Sequence, residues 1–136
     1  MKPARAQPAA CAGLVQRAAA LQTAGQSAEA AQLLTRAVQQ FPAEPEPLLR
    51  LGNLLAGTGH WSRAERCFAT RCRLKPPAAP AFYNWGVSLS ELGRHPEAVT
   101  AYERARALRP ADAATHHALA LSQGAQQHWP QALAAL

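Results

Sequence analysis

The fold class that this sequence predicts is all-α, a solenoid made by stacking antiparallel helix pairs, and three observations predict it. A set of small, large and turn-forming residues recurs every 34 residues without insertion or deletion: Gly25, Ala30, Leu34 and Pro42, then Gly59, Ala64, Phe68 and Pro76, then Gly93, Ala98, Tyr102 and Pro110. A fixed period in this range marks a repeat architecture, in which each unit buries its apolar face only against its neighbours. The composition favours helix over strand, with 33 Ala in 136 residues, no Ile, and few of the β-branched side chains that carry strand preference. Within each period Gly and Pro stand half a period apart, so every repeat reads as helix, tight turn, helix, turn.

The elements follow in order. Residues 1–10, with Pro3 and Pro8, read as a disordered lead-in, and the repeats as about 11–44, 45–78, 79–112 and a truncated 113–136. Leu14, Leu48 and Phe82 open the first helix of each pair. Ala18, Gly52, Gly86 and Ala120 form a small-residue column one turn later, as required where helix backbones approach closely. Leu21, Leu55 and Leu89 close that helix's apolar stripe. The glycines at 25, 59 and 93 then end it in the left-handed conformation that glycine takes without strain. Pro96 and Pro130 stand where the second helix of a pair begins, a position that tolerates proline. In that helix Ala30, Ala64, Ala98 and Ala132 are small, while Leu34, Phe68, Tyr102 and Leu136 are large. A small column one turn from a large one predicts interlocking between neighbouring helices. Pro42, Pro76 and Pro110 stop the second helices, because proline lacks a backbone donor and disfavours helix just before itself.

One residue departs from its column: Arg71 stands where the first and third copies carry Ala37 and Ala105. A long cation there is expected to lie along the helix with its head in water. The fourth copy departs more, with His116 for the opening aromatic and Gln127 for the turn glycine. Its second helix, started by Pro130, would be too short to hold without packing. Residues after about 128 are therefore expected to be the least ordered helical segment, or to bury Leu133 and Leu136 against another molecule. A homodimer through the C-terminal end is one corollary of that apolar end.

These columns resemble the tetratricopeptide repeat family over roughly residues 11–136. The third copy carries the resemblance best, with Phe82, Trp85, Gly86, Leu89, Ala98, Tyr102 and Pro110. The second gives Leu48, Leu51, Gly52, Leu55, Ala64, Phe68 and Pro76, while the first has Arg17 in a column that is normally apolar. The resemblance implies a right-handed solenoid whose first helices line a concave groove that holds another protein, as an extended peptide or a helix. The first-helix positions expected to be exposed are Val15, Gln16, Ala19, Gln22, Leu49, Arg50, Asn53, Tyr83, Asn84, Val87, His117 and Leu121. Of these, Gln22, Leu49, Arg50, Asn53, Tyr83, Asn84, Val87, His117 and Leu121 are the candidate partner-binding residues. Asn both donates to and accepts from a peptide backbone, Tyr83 offers a large face with few rotatable bonds, and Arg50 can pair with a carboxylate.

The chaperone-binding branch of the resembled family grips a C-terminal carboxylate with two Asn and three basic residues. Asn53 and Asn84 match the Asn columns, but Leu49, Ala114 and Ala118 occupy the basic ones. A chaperone-tail receptor is therefore not expected.

Other function classes find little support. His60, His95, His116, His117 and His128 form no helical i, i+4 pair around a carboxylate, and no phosphate loop, nucleophile elbow or Cys/His dyad is visible. No catalytic residue, metal or cofactor is expected. Cys11, Cys67 and Cys72 match no zinc or redox spacing and read as free thiols in a reducing, cytoplasmic setting. No stretch approaches the about 18 consecutive apolar residues of a membrane span. The formal charge of +6 comes from 12 Arg and 2 Lys against 8 acidic residues. Arg63, Arg66, Arg71, Arg73 and Lys75 crowd one second helix and Arg104, Arg106 and Arg109 the next. They alternate with Glu65 and Glu103 and lack the aromatic platforms of a single-strand binder, so nucleic acid is not the expected partner.

The reading is thus a protein–protein interaction module. Its alternatives are the targeting or substrate-holding arm of a longer enzyme, by analogy with repeat-bearing glycosyltransferases and sulfotransferases, and an anion-binding scaffold working through the second-helix arginines.

Overall fold

The computed structural model describes the backbone of residues 6–134 and the side chains of residues 9–125. Among the described residues there are seven helices and no strand: α1 (Ala6–Thr23), α2 (Ser27–Gln40), α3 (Pro45–Gly57), α4 (Trp61–Arg73), α5 (Ala79–Glu91), α6 (His95–Leu108) and α7 (Ala113–Ala134). The chain divides into two compact units, residues 1–75 and 76–136. In the first, α1 packs on α2, α2 on α3 and α3 on α4; in the second, α5 packs on α6 and α6 on α7. This is the all-α helical-repeat solenoid class predicted from the 34-residue period.

The turns inside each pair repeat one hydrogen-bond scheme. Gly25, Gly59 and Gly93 have φ of 80°, 82° and 78°. The N–H after each glycine reaches back five residues, from Gln26 to the carbonyl of Leu21, from His60 to that of Leu55 and from Arg94 to that of Leu89, each at 2.8 Å. The glycine N–H itself bonds to the carbonyl of Gln22, Ala56 or Ser90. Two otherwise orphaned helix-end carbonyls are satisfied each time, the Schellman arrangement that needs a left-handed residue. Between pairs, α2, α4 and α6 end just ahead of Pro42, Pro76 and Pro110.

The small and large columns interlock as expected. Phe68 and Leu34 are fully buried and Tyr102 nearly so. A Cβ placed on Gly52 would stand 2.6 Å from Phe68 Cε1, and one on Gly86 would stand 2.5 Å from Tyr102 Cε1. The aromatic ring of the second helix therefore occupies the volume that the missing side chain leaves in the first. Ala30, Ala64 and Ala98 are all fully buried.

Several expectations are corrected. Arg71 does not hold its head in water: it is 6% exposed, and Nη1 donates to the Leu74 carbonyl at 3.3 Å. The carbonyls at the end of α4 lack intrahelical donors and sit at the negative end of the helix dipole, so a guanidinium is better placed there than in a packing layer. Val15 is buried (6% exposed) rather than lining a groove. Arg17 is exposed where other copies are apolar, and the buried stripe of α1 runs instead through Cys11, Val15 and Ala18. Leu14 and Leu21 are consequently only half-buried. No turn forms at Gln127, and Pro130 falls inside α7, which continues to Ala134. Without glycine the left-handed turn costs about 1–2 kcal/mol there, although the helix that replaces it carries a proline in its interior. Ala120 is exposed for the same reason, since no second helix folds back over it among the described residues. Helix α1 also begins inside the expected lead-in, at Ala6. Residues 1–5 lie outside the described residues, as do the side chains of His128, Ala132, Leu133 and Leu136 and hence the dimer end built on them.

Candidate functional site: a cleft on the second unit

Four of the predicted groove residues come together in the second unit. Tyr83 and Val87 on α5 and His117 and Leu121 on α7 line one cleft of about 320 Å³. Helical spacing explains the grouping, because Tyr83, Val87, Ser90 and Glu91 share one face of α5 and Ala114, His117, Ala118, Leu121 and Ser122 one face of α7. The floor comes from α6, whose Tyr102 ring lies 5.8 Å from that of Tyr83 at 47°, with His95 beside it. Behind this floor Leu89, Ala98, Ala101, Tyr102 and Leu119 form the unit's buried core, with Tyr83, Val87 and Ala118 packed against it. The rim is apolar on one side, where Leu121 is 62% exposed.

Polar groups are few and concentrated. The Ser90 hydroxyl lies 3.5 Å from Tyr102 Oη and 3.3 Å from Ser122 Oγ. Burial pushes the Tyr102 hydroxyl above the usual tyrosine range; the Ser90 hydrogen bond pulls it back, while Tyr83 and Glu91 raise it further. Nδ1 of His95 is buried without a hydrogen-bond partner among the described residues. Among the described residues Glu91 is the one carboxylate lining the cleft, and no Lys or Arg lines it.

Asn84 is half-buried on α5 and does not line the cleft. In the first unit Gln22, Arg50 and Asn53 are exposed and Leu49 half-buried. Arg50 already engages Glu46 at 3.3 Å across one turn of α3. Both partners are more than half exposed, so this pair adds little stability and leaves Arg50 easily diverted to another carboxylate. A larger cleft of about 580 Å³ in that unit is lined from α2, the end of α3 and the start of α4, and none of the four residues contributes to it.

Sequence reasoning missed Ser90, Glu91 and Ser122, although the i, i+7 and i, i+8 positions from Tyr83 and the i, i+4 position from Ala118 carry that signal. The sequence marks Tyr102 as a packing residue and His95 as one of five histidines without a catalytic pairing; no pattern in one helix places them against two others. Among the described residues no three His, Cys, Asp or Glu side chains gather as a metal site, and no helix is long and apolar enough to cross a membrane. Cys11 is buried and Cys67 and Cys72 half-buried, all as free thiols.

Residues 21–72 match a family model described as tetratricopeptide repeat and residues 86–127 one described as TPR repeat. No curated protein matches the chain by sequence. Among solved structures, a MamA RS-1 ArsTM double mutant is 25% identical with a TM-score of 0.80, over 87% of this chain and 66% of that one. The chain thus spans just under two thirds of that MamA protein. The first TPR of Spaghetti (RPAP3), bound to the HSP90 peptide SRMEEVD, is 19% identical with a TM-score of 0.81, over 86% of this chain and 93% of that one. The second TPR domain of human RPAP3, in complex with the HSP70 peptide SGPTIEEVD, is 18% identical with a TM-score of 0.74, over 79% of this chain and 90% of that one. At these identities the two RPAP3 likenesses establish the fold alone.

Proposed function

Because the chain belongs to the tetratricopeptide repeat family, we propose that it is a protein-interaction module, not an enzyme, and that its second unit seats a short peptide segment of a partner protein. The observation that carries this reading is the cleft itself, in which Tyr83, Val87, His117 and Leu121 converge over a buried aromatic floor. A concave, mostly apolar site with a few clustered hydroxyls suits one anchoring side chain and a hydrogen-bonded backbone. Gln22, Leu49, Arg50, Asn53 and Asn84 offer further polar and apolar contacts on the first helices.

The RPAP3 structures hold acidic peptides that end in EEVD. This chain is poorly suited to such a tail. Ala114 and Ala118 line the cleft in the columns where the resembled clamp has cations, and the charge present, on Glu91, has the wrong sign. A terminal carboxylate there would lose its charge-assisted hydrogen bonds and meet a like charge. The segment expected is neutral or basic, with an aliphatic or aromatic anchor set between Leu121 and the Tyr83 ring.

A displayed peptide library panned on the protein, followed by titration of the selected peptides, tests the reading. Tyr83→Ala and Leu121→Ser should each weaken binding about tenfold or more, since a central anchor contact contributes about 1–2 kcal/mol. The peptide SRMEEVD should not compete. Selected peptides whose affinity is indifferent to both substitutions would refute the cleft as the site.

A further inference from the structure

The larger cleft in the first unit carries a different charge. One face of α2, from Ala28 through Ala31 and Gln32 to Arg36, forms its long wall, Leu54 and Leu55 its floor, and Arg63 near the start of α4 the opposite rim. That stretch of α2 is about 13 Å long, room for about four extended residues. Leu54 and Leu55 are buried, while Arg36 and Arg63 are both exposed. Among the described residues no carboxylate lines it.

The internal repeat shows that this charge is not a requirement of packing. The column of Arg63 carries Glu29 in the first copy and Glu97 in the third, and the column of Arg36 carries Thr70 in the second and Arg104 in the third. The second copy therefore reverses the charge its neighbours hold at that helix turn, and does so at the edge of an open, apolar-floored cleft. Two cations with no lining carboxylate, set above buried leucines, are complementary to an anionic chain that also carries an apolar side chain. Among the described residues no Phe, Tyr or Trp lines the cleft to stack a base, the one ring there being the His60 imidazole at its end, which favours a peptide over a nucleic acid.

We propose that the cleft between α2 and α4 is a second peptide site, specific for a short acidic segment of a partner protein. Carboxylates of the segment pair with Arg36 and Arg63, and one apolar side chain rests on Ala28, Ala31, Leu54 and Leu55. The site is independent of the second-unit cleft and opposite to it in charge preference.

The probes are a fluorescent peptide of glutamates around a central leucine, its counterpart with glutamine for every glutamate, a version with alanine at the centre, and a single-stranded oligonucleotide of equal charge. The acidic peptide should bind and weaken as salt is added. The glutamine and alanine versions should bind about tenfold or more weakly. Arg63→Glu is a fair perturbation because glutamate already holds that column in two other copies; it should abolish binding while circular dichroism stays unchanged. Arg36→Gln should weaken binding without abolishing it, and Leu121→Ser should leave it unaltered. Equal affinity for the glutamine peptide, or retained binding in Arg63→Glu, would overturn the proposal. Tighter binding of the oligonucleotide than of the peptide would overturn the assignment to a protein segment, and loss of binding in Leu121→Ser would move the peptide to the other cleft.

Discussion

Replacing Gly52 by Ala tests the interlocking of the helix pair at one contact. The new Cβ would stand 2.6, 2.8 and 2.9 Å from three carbons of the Phe68 ring, where unstrained carbon contacts lie at about 3.5–4.0 Å. The ring must retreat by about 1 Å, yet it is 0% exposed and has close-packed neighbours on every side. Overpacking of this kind costs about 1–3 kcal/mol, against which removal of a mid-helix glycine returns up to about 1 kcal/mol. The single variant should therefore be destabilised by anything from about 0 to 3 kcal/mol, too wide a range to interpret alone. Phe68→Leu should cost on the order of 1–3 kcal/mol through the cavity it leaves. In the double variant the added methyl enters that cavity and recreates the Ala18 and Leu34 pair of the first copy. The two changes should couple favourably by about 1–3 kcal/mol in a double-mutant cycle measured by urea unfolding with constant slope. Gly57→Ala is the control: it stands on the same helix with nothing within 4 Å of the added Cβ, and should not destabilise. Additivity of Gly52→Ala and Phe68→Leu within about 0.5 kcal/mol would refute the argument.

Two further predictions concern the turns and the buried hydroxyl. Gly93→Ala should lose about 1–2 kcal/mol although its Cβ would meet nothing within 4 Å, because φ is 78° there; thermal or urea unfolding checks this, and an unchanged midpoint would show that the turn relaxes freely. Tyr102 is raised above the ordinary tyrosine value in the folded state, chiefly by burial. The unfolded chain then releases this proton first as pH rises, so the stability held below about pH 10 should fall as pH climbs from there through the folded value. Urea unfolding across that range should show a shallower fall for Tyr102→Phe than for the parent, and parallel curves would refute the assignment.

Much of the fold was legible because its determinants are local and repeated. A left-handed glycine, a helix-stopping proline and a small residue facing a large one act within one helix pair, and three matched copies separate them from chance. The same periodicity placed Tyr83 and Val87 on one face of α5 and His117 and Leu121 near one another on α7. It would have added Ser90, Glu91 and Ser122 had it been followed one turn further.

What the tertiary structure decided depends on neighbours that a repeat pattern does not encode. Val15 is buried because α1, with Arg17 in an apolar column, turns a different stripe toward α2 and α3. Arg71 is buried because the carbonyls at the end of α4 needed a donor, and its column of alanines gave no hint of one. No left-handed turn forms at Gln127, where the strain-free glycine is missing, and helix continues through Pro130. Both clefts are three-helix features, and the volume left between helices is set by packing angles and side-chain sizes together. The sequence by itself determined which residues face the same way along each helix; only the packed structure decided which of those faces enclose a space and what charge borders it.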